Sequence, residues 1–171
     1  ELLTALQLVA GDPNINCISK SSYYQDMLAW FTPYQDHHAV AQYRAINDYF
    51  CFDAPINSML FMDFNDELSL TCEPSEYLCL RAGSKQNWMD LYKGLQDFAR
   101  VTAFKRFYDD HSDYYQQAIE KVTAINGACD PATELESYIG LEAEQYTLRF
   151  SPLQNCGYAG GNVPESREVS C

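Results

Sequence analysis

Apolar residues recur along most of this chain at the three-and-four spacing of an α-helix, and Gly, Pro or polar residues interrupt them often enough to keep each helix short. Leu2, Leu6, Val9 and Ala10 share one face, and Gly11-Asp12-Pro13 ends that first helix. Ser21 and Ser22 are N-cap candidates for a second, whose stripe is Tyr23, Met27, Trp30 and Phe31 and which Pro33 stops. A third starts near Asp36, with Ala39, Tyr43, Ile46 and Phe50 on one side. Asp53 is placed to cap a short apolar helix that has Pro55 near its first turn and runs through Met59 to Met62.

Residues 63–86 are less regular, and Leu68-Ser69-Leu70 and Tyr77-Leu78-Cys79-Leu80 read equally as helical turns or short strands. Trp88, Leu91, Leu95, Phe98 and Val101 then predict one long helix to about Phe107, weakened at Gly94. Ser112 is positioned to cap the next helix, where Tyr115, Ala118, Ile119, Val122 and Ile125 give the cleanest amphipathic pattern before Gly127. Asp130-Pro131 opens another short helix with acid in its first turn, and Gly140 closes it. Gln145–Phe150 alternates as a strand, with Tyr146, Leu148 and Phe150 facing one way and Thr147 and Arg149 the other. The expected fold is mainly α, within the α+β class: a bundle of short helices with one or a few short strands near the C-terminus. A single domain over residues 1–155 is followed by a Gly- and Pro-containing loop or tail over 156–171.

Composition narrows the function. The 171 residues are 47% hydrophobic, enough for a real core. A formal net charge of −13 repels phosphate backbones and anionic membrane surfaces, so nucleic-acid binding is not expected. No apolar run approaches the length of a membrane span, so no membrane insertion is expected either. The acidity itself reads as solubility before it reads as weak surface calcium binding.

Seven cysteines stand scattered, Cys17, Cys51, Cys72, Cys79, Cys129, Cys156 and Cys171, without a Cys-x-x-Cys pair. That pattern suggests a disulfide-stapled fold in an oxidising compartment, and a secreted or extracellular protein. The odd count leaves one thiol free or bonded elsewhere, with Cys156 or Cys171 as the candidates. Cys72 and Cys79 are spaced for a local bridge.

Chemistry-bearing clusters are few. Three histidines exist, His37, His38 and His111, and none forms a His-x-x-x-His pair. His37 and His38 read as a helix-start pair, one packed and one exposed, pointing about 100° apart on a helix. Asp109-Asp110-His111-Ser112-Asp113 reads as a solvated interhelix turn. Asp63–Glu67 begins like a calcium loop, but Leu68 stands where Gly is required and Pro74 where Glu is required. No nucleophile elbow or phosphate-binding loop is present. No catalytic, cofactor or metal residue is therefore expected in this chain.

Several segments, in order, carry a resemblance: Glu1–Gly11, Tyr24–Phe31, Tyr34–Val40, Asp53–Met59 and Gln145–Leu153. Together they resemble the amino-terminal half of an uncharacterised bacterial family whose full-length members are similar to gluzincin-type zinc metallopeptidases. In such proteins a His-Glu-x-x-His helix follows the strand and its Ser-Pro-Leu turn, and this chain holds no such motif. The resemblance implies that Tyr146, Leu148 and Phe150 lie on a strand bordering a substrate cleft. It also implies that zinc, with a Glu as general base, would belong to a longer parent protein. The cysteines depart from the family pattern.

Two readings follow. In the first, the chain is the non-catalytic amino-terminal portion of a secreted zinc-metallopeptidase-like protein, supplying scaffold and a cleft-edge strand to its missing C-terminal portion. In the second, it is a complete extracellular, disulfide-linked structural or binding protein that assembles with copies of itself through the odd cysteine.

Overall fold

The computed structural model describes residues 1–13, 15, 21–63, 68–126, 130–140 and 151–153. These are mainly helical. Nine α-helices lie among them: α1 (Leu2–Ala10), α2 (Ser22–Phe31), α3 (His38–Ile46), α4 (Asp53–Ser58), α5 (Glu76–Arg81), α6 (Lys85–Val101), α7 (Phe104–Asp110), α8 (Ser112–Asn126) and α9 (Pro131–Ile139). The only β-pairing among the described residues is an isolated antiparallel bridge between Met62 and Leu70. Tyr77–Leu80 is helical, within α5. The strand expected at Gln145–Phe150 lies outside the described residues.

Local signals set most helix ends. The Ser21 side chain accepts from Tyr24 N–H at the start of α2, and Ser75 and Ser84 cap α5 and α6 in the same way. Gly11 and Gly140 adopt the left-handed conformation that closes α1 and α9. Three expectations need correction. The long helix predicted to Phe107 is two helices, because Ala103 takes φ 52° after the Thr102 hydroxyl has bonded back to the Phe98 carbonyl (2.7 Å). Asp53 is the first residue of α4 rather than its cap; the cap is Phe52, itself at φ 58°. Ser112 likewise begins α8, whose first backbone bonds run from Tyr114 and Tyr115 to the His111 carbonyl.

The chain falls into two compact units. The first holds Glu1–Phe104, with Leu153 from the far end of the chain. Here α3 packs on α6 and α1, α1 also meets α2 and α6, and α5 lies on α6 and α4. Leu2, Leu6, Met27, Phe31, Tyr43, Trp88, Leu95 and Phe98 are buried, as the helical stripes predict; Val40 is buried beside them although the stripe does not include it, and Val101, which the stripe does include, is exposed. Gly94, which costs α6 helix propensity, sits where α3 crosses it. A Cβ there would overlap the Gln42 side-chain oxygen and lie 3.1 Å from Ala39 Cβ.

Polar groups pin this unit from inside. Asp12, just past the end of α1, is buried and accepts the Tyr43 hydroxyl of α3, while Gln7 Nε2 donates to Tyr43 Oη (2.9 Å) and to Asp12 Oδ2 (3.3 Å). Arg44 donates to the Ala10 and Val9 carbonyls (3.0 and 3.2 Å), a cation at the negative end of α1. Trp88 Nε1 donates to Ser58 Oγ (2.9 Å), whose hydroxyl donates to the Ala54 carbonyl.

The second unit spans Lys105–Pro152. Tyr108 stacks on Tyr115 with centroids 4.6 Å apart, and Phe107 lies against the His111 ring at 4.2 Å. Asp130 caps α9, accepting from Thr133 N–H (3.2 Å) and Thr133 Oγ1 (2.7 Å), and these bonds hold its carboxyl below the usual range. The apolar stripe of α8 is covered at Tyr115 and open at Ile119.

Gly94→Val should destabilise the protein by about 1–3 kcal/mol through overpacking, seen as a lower urea midpoint; an unchanged midpoint would mean that α3 and α6 do not meet this closely. Tyr43→Phe removes a hydroxyl donor from a buried carboxylate and should cost about 1–3 kcal/mol. Burial first, then Asp12, raises the Tyr43 hydroxyl far above its ordinary pKa. The unfolded chain loses that proton near pH ~10, so this contribution is full below that pH and lost as pH rises beyond it, by up to about 1.4 kcal/mol per pH unit. Urea midpoints taken between about pH 9 and about pH 11 should therefore fall more steeply for the wild type than for Tyr43→Phe.

Candidate functional site

The densest convergence of ligand-type side chains among the described residues is His37, His38 and Asp97. Sequence alone does not unite them, since sixty positions separate His37 from Asp97. His37 is the N-cap of α3: its backbone is extended (φ −64°, ψ 141°) and its Nδ1 accepts from Ala39 N–H at 3.2 Å. His38 is the first residue of the helix proper. Because only one of the pair is helical, the expected 100° divergence does not hold. Their rings lie 4.3 Å apart and both reach the same oxygen, Asp97 Oδ2, with His37 Nε2 at 3.1 Å and His38 Nδ1 at 3.7 Å. The expectation of one packed and one exposed ring does hold: the side chains are 11% and 53% exposed.

The α3–α6 crossing supplies Asp97. Gly94 lets Ala39 come close, and Asp97 follows one turn later on α6, so it meets the two residues that precede Ala39. Arg100, three residues on, donates to Asp97 Oδ1. Arg100 is the main reason the Asp97 carboxyl is held below its usual range, with a smaller contribution from His37 and against partial burial. The carboxylate is thus divided, one oxygen on Arg100 and the other facing two imidazoles. Phe98 supports His37 edge-on, with centroids 5.4 Å apart. Since Nδ1 of His37 accepts a backbone N–H, the ring stands as the tautomer with its proton on Nε2, directed at Asp97.

The other sequence candidates fall elsewhere. Cys51 and Cys79 are free, half-buried thiols, and burial pushes the Cys79 thiol up. Cys72 is not bridged to Cys51 or to Cys79, both of which are free. The local Cys72–Cys79 bridge is therefore not made: Cys79 lies in α5 with its Sγ turned to the Pro74 carbonyl (4.0 Å). No disulfide joins two of the described cysteines. Cys17, Cys129, Cys156 and Cys171, and the strand residues Tyr146, Leu148 and Phe150, lie outside the described residues.

Cys51 flanks a second polar node. Arg81 Nε donates to the Tyr49 carbonyl (2.6 Å) and Nη2 to the Cys51 carbonyl (2.8 Å), and the guanidinium also meets the Tyr77 hydroxyl and Asp53. This clasp holds the loop in which Phe52, 65% exposed, takes its positive φ. Asp53 is consumed by Arg81, Asn57 and Tyr77. The Asp109–Asp113 turn is structural: Lys105 pairs with Asp109, Arg106 with Asp110, and His111 Nδ1 lies 2.8 Å from the Phe107 carbonyl. Of the calcium-like segment, Asp63 N–H donates to the Ser69 carbonyl (2.8 Å), and residues 64–67 lie outside the described ones.

No family model, curated protein or solved structure matches this chain.

The cap role of His37 is separable from its contact with Asp97. His37→Ala should cost about 1 kcal/mol through loss of the cap. His37→Asn, which can accept the same N–H, should recover most of it. Equal urea midpoints for the two variants would show that His37 does not cap α3.

Proposed function

We propose that this chain is the non-catalytic amino-terminal portion of a secreted zinc-metallopeptidase-like protein. The observation that carries the reading is the coincidence of four of the five resembling segments with the packed helical frame, the fifth, Gln145–Leu153, lying outside the described residues except for its last three. Glu1–Gly11 is α1 with its Gly cap, Tyr24–Phe31 lies in α2, Tyr34–Val40 forms the turn into α3, and Asp53–Met59 is α4. These supply buried residues to the core of the first unit rather than a cleft lined with catalytic groups. The polar residues they bring act as clasps: His37 caps a helix and Asp53 is held by Arg81. Scaffolding of a catalytic part that lies elsewhere in a longer protein fits such a division, and zinc, with its general base, would belong to that part. Among the described residues no helix is long and apolar enough to cross a membrane.

The second reading, a complete extracellular protein assembled through disulfides, draws support from one feature. Cys51 is a free, partly exposed thiol at the surface.

Intact mass of the native protein with and without reductant separates the two. The first reading expects a reduced mass well above 19.5 kDa, and no zinc-dependent peptide hydrolysis by the 171 residues alone. Hydrolysis by the isolated chain would overturn the non-catalytic assignment. A reduced mass equal to this chain, with an unreduced mass that is a multiple of it, would establish the second reading.

A further inference from the structure

We infer that His37, His38 and Asp97 bind one divalent transition-metal ion of the zinc type, an ability that neither the motif pattern nor the scaffold role predicts. Three features support this. The three donor atoms all lie within 4.8 Å of one another, and both imidazole nitrogens already face one carboxylate oxygen. Zinc bonds of about 2.0–2.1 Å in a tetrahedral arrangement set neighbouring donors roughly 3.4 Å apart. The two observed nitrogen–oxygen distances, 3.1 and 3.7 Å, bracket that value, and the two imidazole nitrogens lie within 4.8 Å of each other.

The donor set is also chemically apt. Two imidazoles and one carboxylate suit zinc, cobalt, nickel or copper, and discriminate against magnesium and calcium, which take oxygen ligands. The carboxylate is oriented from behind, because Arg100 occupies Oδ1 and leaves Oδ2 to the ion. The ring of His37 is supported edge-on by Phe98. Access comes from the His38 side, since His38 is 53% and Asp97 35% exposed, and water would complete the coordination there.

One term opposes binding. An ion on His37 Nε2 takes the position of the proton now directed at Asp97. The neutral ring then carries its proton on Nδ1, and Ala39 N–H loses its acceptor. Loss of a helix cap of this kind lowers affinity roughly tenfold. Binding is therefore coupled to the start of α3, and Ala39 N–H exchange reports it.

The experiment titrates the full 171-residue chain with Zn²⁺ alone by calorimetry, and with Co²⁺ by visible absorption, beside His38→Ala and Asp97→Asn. His38→Ala is the diagnostic variant: the side chain is exposed, it makes no cap, and Ala favours the first turn, so the fold should be retained by far-UV circular dichroism. The expected result is one equivalent of metal with a Co²⁺ spectrum free of thiolate bands. His38→Ala should bind at least about tenfold more weakly and Asp97→Asn should also be weakened, while faster Ala39 N–H exchange follows Zn²⁺ addition in the wild type only. Equal affinity in wild type and His38→Ala, a thiolate band that places the ion on Cys51 or Cys79, or no binding by the wild type at millimolar Zn²⁺ would each overturn the inference.

Discussion

The close approach of α3 and α6 is the constraint on which the rest of the first unit depends. Helix axes can come this near only where side chains are small, and Ala39 and Gly94 supply that condition at one point. Everything around the crossing inherits its geometry. Tyr43, one turn beyond Ala39, is carried inward to meet Asp12 and Gln7, and Phe98, one turn beyond Gly94, reaches Phe31 and His37. Gly94 lowers the intrinsic preference of α6 for its own conformation, and the packing it permits offsets that loss.

A second theme is the use of polar side chains as clasps between helices that are individually too short to stand alone. Arg44 ties α3 to the end of α1, Arg81 ties α5 to the loop before α4, and Trp88 ties α6 to α4 through Ser58. Each places a donor on a backbone carbonyl or a hydroxyl that a helix end or turn would otherwise leave to water. Short helices need such ties because each carries only a few apolar positions.

Much of the helical order was legible in the chain because capping chemistry is local. Ser21, Asp130, Gly11 and Gly140 act within one turn of where they stand, and a periodic apolar stripe needs no distant partner to be recognised. Ser75 and Ser84 cap α5 and α6 in the same way, although neither is among the caps read from the chain. The break at Ala103 was not legible, since an alanine at positive φ contradicts its own propensity and is held by surrounding contacts, including Trp30 Nε1 on the Thr102 carbonyl (2.8 Å). The approach of His37 to Asp97 was hidden for the same reason: it depends on which helices cross and on His37 lying just outside α3 rather than within it. Cysteine pairing was equally opaque, because spacing along the chain says nothing about the helical direction of Cys79.

The two tryptophans, Trp30 on α2 and Trp88 on α6, both belong to the unit that holds Glu1–Phe104, and each indole N–H is held by an oxygen of that same unit. The unit of Lys105–Pro152 has no indole and is instead marked by the Tyr108–Tyr115 stack. The molecule therefore carries an optical label on one unit alone. Indole emission follows the first unit by itself, and a change that reaches only the unit of Lys105–Pro152 leaves it untouched.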